Sequence, residues 1–218
     1  MDRWLENFAR VAFDRGADTA HDLKTPLNVA ILNLELLRMR LRKLLGEDED
    51  EKIVQYSGAI EDELRRLGRI FDAYFTHSTP PPTDRVHVDV LTIFQESATN
   101  AGISIGLPDQ PVAVLSHESR MRELARLFIQ GAGRLLSPDW QVRLEVEEDR
   151  FRAIAAGQPS SEIELSKLFK FYYTDPSGNP ELSIATARLI AETYGGALTG
   201  SLSESGLSLE LSLPLGDR

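Results

Sequence analysis

The chain of 218 residues contains no cysteine, which excludes disulfides, zinc–cysteine centres and cysteine nucleophiles. It also lacks any apolar run near the roughly 18 residues that a bilayer-spanning helix needs. The stretch from Met1 to Gly16 carries a charge every few residues and does not read as a secretory signal. Positive charge is in deficit: 24 Lys and Arg against 34 Asp and Glu leave a net charge of −10. That balance weighs against nucleic acid and against anionic membrane surfaces as partners. Together these absences predict a cytoplasmic protein. What is present, 42% hydrophobic and 27% charged residues, is the composition of a folded globular chain.

Helix breakers are scarce before residue 79 and then arrive together as Pro80-Pro81-Pro82. Three consecutive prolines cannot continue a helix and favour a short, stiff, extended linker. We therefore expect a helical hairpin over residues 1–79, a Pro-rich linker over 80–84 and a second domain over 85–218. In the first, Ala20, Leu23, Leu27, Ala30, Leu34, Leu37, Leu41 and Leu44 repeat at alternating steps of three and four, a seam of period 3.5. Gly46 and the acidic run to Glu51 interrupt it as a solvated turn, and Ile53, Ile60, Leu64, Leu67, Phe71 and Tyr74 mark a second helix. Such a hairpin cannot bury its apolar stripes alone. Pairing with a second copy into a dimeric four-helix bundle solves that, and packing of a monomeric hairpin on the second domain is the alternative. After the linker, short strands and helices alternate, with hairpins expected around Glu148-Asp149 and between Leu198 and Leu213. This predicts helices on one face of a mixed sheet, an α+β chain overall.

The chemistry concentrates at His21-Asp22-Leu23-Lys24-Thr25-Pro26-Leu27. With Ala20 at heptad position a, His21 falls at b on the outer face, and Thr25 lies one turn further along. A neutral imidazole is a competent nucleophile near pH 7. Asp22 is placed to hold one ring N–H and leave the other nitrogen free to attack. Pro26 removes the amide that would bond the Asp22 carbonyl, which loosens the helix beside the histidine. His77, His87 and His117 show no metal-ligand spacing and read as solvated. No metal site is expected.

The seven residues from His21 to Leu27 resemble the phosphoacceptor box of sensor histidine kinases at every position. The segments Leu182 to Gly196 and Leu213-Pro214-Leu215 are similar to the end of that family's ATP-binding domain. The resemblance implies a dimerisation and histidine-phosphotransfer hairpin followed by an α/β sandwich of the ATP-binding type. It also implies that Thr25 occupies the place of a residue that positions water for dephosphorylating a partner.

The second domain departs from the family at its nucleotide-binding elements. The family's metal-holding Asn belongs on the helix Arg120–Leu136, which has none; Gln130 is the nearest chemical substitute. The adenine-binding D-x-G-x-G corresponds to Ala155-Ala156-Gly157-Gln158-Pro159, without the carboxylate. The phosphate-binding G-x-G-L corresponds to Asn179-Pro180-Glu181-Leu182, where a carboxylate replaces glycine backbone that would approach phosphate. Phe169, Phe171, Tyr172 and Tyr173 match an aromatic segment beneath the nucleotide lid and are expected to pack the core. ATP is not an expected cofactor.

An intact phosphoacceptor joined to a degenerate nucleotide site implies a histidine phosphotransferase. His21 would accept a phosphoryl group from one response-regulator receiver domain and pass it to another, within a relay headed by an upstream hybrid histidine kinase. Mg²⁺ would be held mostly by the receiver. Val29, Leu32 and Leu36 sit at positions c, f and c of the heptad, outside the seam. With Lys24 and Asn28 they form a candidate receiver-docking stripe, or else cover the helix's own neighbours. A divergent but active kinase and a non-catalytic dimeric adaptor remain as alternatives. Twenty residues precede His21 with no recognisable sensor region, compatible with a free-standing phosphotransferase or a portion of a larger kinase.

Overall fold

Helix α1, over residues 27–44, and helix α2, Glu51–Ser78, carry the first unit of the chain. The computed structural model describes residues 27–44, 51–78, 81, 83–108, 111–171, 173, 175 and 181–216. It divides the chain into two compact units, Met1–Thr79 and Pro80–Arg218. The two helices run antiparallel: Leu27 packs over Gly68, where a Cβ would lie 3.2 Å from the leucine side chain. Further along, Arg38 pairs with Glu61 at 2.8 Å, and Arg65 bridges Glu61 at 2.7 Å and Glu35 at 3.3 Å. Arg65 and Arg38 hold the Glu61 carboxyl below the usual carboxylate range. Among the described residues no helix is long and apolar enough to cross a membrane.

The second unit follows the order β1 (Val86–Asp89), α3 (Val90–Asn100), β2 (Ile105–Gly106), β3 (Ala113–Ser116), α4 (Glu118–Leu135), β4 (Gln141–Glu147), β5 (Arg150–Gly157), α5 (Leu165–Leu168), α6 (Ser183–Thr193), β6 (Ala197–Ser203) and β7 (Gly206–Pro214). The main sheet has order β2-β4-β5-β7-β6, parallel only between β2 and β4, and β1 pairs with β3 in a separate antiparallel ribbon. The expectation of helices on a mixed sheet is met. The separate ribbon is not legible in local patterns, because an isolated pair and a sheet strand alternate in the same way.

Register lines up the buried face. Leu144, Ala153, Leu211 and Leu198 form one row, and Val142, Ala155, Leu209 and Gly200 the next. Phe94 of α3 meets Phe128 of α4 and Phe151 of β5 at ring distances of 6.2 and 5.3 Å, closing the core between helices and sheet. The other face is polar: Arg152 bonds Glu210 at 2.9 Å and pairs with Glu147. Asp89 caps α3 by accepting from the amides of Leu91 and Thr92. At the other end of α3, Gly102 at φ 71 lets Ile103 bond back to Ala98. This helix-ending turn consumes residues 101–103, so β2 is confined to Ile105–Gly106.

Candidate functional site

Position 27 begins the described part of α1, so His21, Asp22, Lys24 and Thr25 lie outside the described residues. The rest of the expected docking stripe lies within the described part of α1. Asn28, Val29, Leu32 and Leu36 are all exposed, the three apolar side chains by about half. The seam behaves unevenly within one chain. Ala30, Leu34 and Leu41 are half-buried, whereas Leu37 is 53% and Leu44 79% exposed. On α2, Ile60 and Tyr74, which belong to the second stripe, are also exposed. A lone hairpin thus leaves much of both stripes uncovered.

The second candidate site is the corner of the α/β unit where α4, α6 and the ends of β5 and β6 meet. Ala155 is completely buried in the row between Val142 and Leu209, so its place is apolar on both sides. Downstream, the segment matched to the adenine-binding element is spent on internal bonds. The Gln158 carbonyl accepts from the Ser137 amide at 2.8 Å, and the Ser160 amide donates to the Leu135 carbonyl at 2.8 Å. Gly157 is required by packing: a Cβ there would lie 2.8 Å from the Cβ of Trp140. Asp149, the nearest carboxylate before β5, sits in the β4–β5 turn at the opposite end of the strand.

On α4 the structure separates two neighbours. Gln130 is exposed, and its Oε1 accepts from Arg126 Nη1 at 2.9 Å, so it faces away from the corner. Gly131 faces inward, where a Cβ would stand 2.7 Å from Ile184 Cδ1 and 3.2 Å from Ser183 Cβ. The helix α6 therefore seats its first turn directly on α4. A glycine within a helix costs about 1 kcal/mol relative to alanine, and that cost is the sequence signal which marks such a close approach.

Glu181 sits just ahead of this turn and is 1% exposed. Its Oε2 lies 2.5 Å from Arg134 Nη1, and its Oε1 accepts from the Ser183 amide at 2.5 Å. Its own amide donates to the Tyr173 carbonyl at 3.0 Å. Burial raises the Tyr173 hydroxyl above its ordinary value, and the Asp175 and Glu181 carboxylates add to the effect. Arg134 was not singled out in the sequence, because 47 residues separate it from its partner. The aromatic segment closes the same corner. Phe169 packs where β6 has Gly200, whose Cβ would lie 3.2 Å from the ring, and Arg188 stands 5.3 Å over the ring centre. Tyr173 is buried and Tyr172 lies outside the described residues.

One histidine needs correction. His117 is only 9% exposed and is not solvated. Its Nε2 lies 2.8 Å from the Thr83 carbonyl and its Nδ1 2.6 Å from the Tyr194 hydroxyl. A carbonyl can only accept, so Nε2 carries the proton, and in the neutral ring Nδ1 accepts from Tyr194. Among the described residues no three His, Asp or Glu converge to hold a metal.

Comparison with known proteins matches residues 16–78 to the His Kinase A (phospho-acceptor) domain family. The signal transduction histidine-protein kinase BaeS of Escherichia coli (strain K12) is 23% identical over 97% of this chain. The chain spans 48% of that relative's length. A mycobacterial sensor histidine kinase, MprB, superposes on 62% of the chain with a TM-score of 0.51 and 15% identity, over 99% of its own chain. Full-length ShkA, solved in complex with AMPPNP, superposes on 94% of the chain with a TM-score of 0.55 and 15% identity, over 46% of its own length. The chain is histidine kinase-like: residues 16–78 match the phospho-acceptor domain family, and the α/β unit has a fold seen in sensor histidine kinases.

Proposed function

We propose that the protein is a dimeric histidine phosphotransferase that exchanges a phosphoryl group between His21 and the aspartates of response-regulator receivers without using ATP. The observation that carries this reading is the corner of α4 and α6. Where a nucleotide phosphate would need open glycine backbone, the chain has the buried Glu181 carboxylate bonded to Arg134 and to the Ser183 amide. Where an adenine amino group would need a carboxylate, it has the buried Ala155. The Glu181 carboxylate fills the place of a phosphate and already engages the Arg134 guanidinium and the Ser183 amide that would otherwise meet one.

In the reaction, the free ring nitrogen of His21 attacks the phosphorus of a receiver's aspartyl phosphate. The P–N bond forms as the P–O bond to the aspartate breaks and the carboxylate leaves. The proton on the other ring nitrogen is held by Asp22. Alignment of the three atoms and charge neutralisation carry most of the catalysis in such transfers, and the receiver's own carboxylates would hold the Mg²⁺ that supplies the neutralisation. Thr25 would orient water for the competing loss of phosphate. Asn28, Val29, Leu32 and Leu36, exposed on α1, together with Lys24 would receive the receiver. The half-covered stripes of α1 and α2 support assembly with a second copy of the chain.

One observation favours a second reading, an active kinase core with divergent nucleotide elements: ShkA, which shares the fold over most of the chain, was solved with AMPPNP. Calorimetric titration with Mg-ATP separates the two. No binding tighter than about 1 mM, where the binding free energy is about −4.1 kcal/mol, together with radiolabel on His21 from phosphorylated receivers, supports the phosphotransferase. Micromolar binding, or labelling of His21 from ATP alone, establishes the kinase instead.

A further inference from the structure

A carboxylate that is 1% exposed normally raises a question of compensation, since an ion taken from water must find partners of comparable strength. Glu181 finds two. Arg134 supplies a charged donor at 2.5 Å, and the first turn of α6 supplies the Ser183 amide at 2.5 Å. The second partner belongs to the positive end of an 11-residue helix, whose amides point outward without intrahelical acceptors. The residue at the helix boundary, Leu182, offers no side-chain cap. Arg134 is 45% exposed, so the pair runs from solvent into the interior. Gly131, three residues before Arg134 on α4, lets Ser183 approach closely enough for this geometry. An arginine, a helix N-terminus and a close-packed floor together make an oxyanion site, and the chain fills it with its own oxyanion.

We infer that Glu181 is a built-in occupant of an anion site formed by Arg134 and the α6 N-terminus, and that the site accepts a small carboxylate or phosphate only when the Glu181 side chain is removed. The device is self-occlusion. It rests on the reading above that this corner does not serve ATP, and adds the group that closes it.

Chemical rescue tests the inference without nucleotide or receiver. Glu181→Ala removes the occupant and leaves the cavity and Arg134 behind. Its melting temperature is expected to fall by about 5 °C or more, given the several degrees per kcal/mol typical of domains this size. Sodium formate or inorganic phosphate should restore at least half of that fall, relative to sodium chloride at equal ionic strength. The unaltered protein should gain from phosphate only the general stabilisation that an excluded salt gives and should respond to formate as to chloride, and Glu181→Ala with Arg134→Ala should lose any rescue beyond that. Glu181→Gln fills the cavity with a neutral amide and should show no rescue. If the Ala variant is unfolded in chloride, return of the near-ultraviolet circular dichroism in formate is the same readout. Rescue that is absent, or equal in the unaltered protein or in Glu181→Gln, overturns the inference. Mg-ATP binding by the unaltered protein would instead overturn the phosphotransferase reading, so the two fail separately.

Discussion

His21→Ala is expected to abolish acceptance of phosphate from receivers while changing stability by only about 0.5 kcal/mol, as expected at heptad position b. Stopped transfer with an unchanged melting temperature is the pattern to look for, and undiminished transfer would remove the mechanism. Thr25→Ala should mainly slow loss of phosphate from a receiver, read as a lower phosphatase rate with transfer to His21 retained. These two positions could be proposed from the sequence because their chemistry is compressed into five neighbouring residues, and both lie outside the described residues. Glu181 was half legible. Its charge and place marked a departure from phosphate binding, but its partner Arg134 lies on another helix, so the sequence showed a repulsive group where the structure shows a satisfied one. His117 misled for the same reason, with one partner 34 and the other 77 residues away.

Gly131 joins the residue scale to that of the elements, because the distance between α4 and α6 is set by the hydrogen atom it has for a side chain. Gly131→Val would drive two methyls into Ile184, which is fully buried. Overpacking of this kind costs about 1–3 kcal/mol, measurable as a lower midpoint in urea. An unchanged midpoint would mean that α6 can move away freely. At this scale periodicity did well for long elements: α2, α4 and the β4–β5 and β6–β7 hairpins appear where the patterns place them. It failed for the four-residue α5, since a single turn has no period to detect. It also said nothing of the β1–β3 ribbon, whose pairing is a property of two segments and not of either one.

For the whole molecule, assembly is the testable property. Within one chain, apolar side chains along both helices of the first unit remain exposed, Leu44 by 79% and Ile60 by 52%. A second copy that covers them would gain roughly 25 cal/mol for each Å² of apolar surface buried. Leu34→Asp places a carboxylate in the middle of the seam, where an unpaired buried charge costs several kcal/mol. Light scattering at micromolar concentration should report a dimer for the unaltered protein and a monomer for the variant. A monomer in both cases would leave the four-helix bundle without support.

The hydrogen bond from His117 to the Thr83 carbonyl has a mechanical consequence. Thr83 follows the prolines, with two residues between it and β1, so it is among the first points at which tension along the backbone enters the α/β unit. Without the imidazole, a pull at that point would be borne by the end of a four-residue strand that belongs to a two-stranded ribbon, a structure that peels one bond at a time. With it, the load passes sideways through the ring to the Tyr194 hydroxyl. It is then divided between the start of α4 and the end of α6 before β1 is strained. The histidine is the tie-bar of the unit.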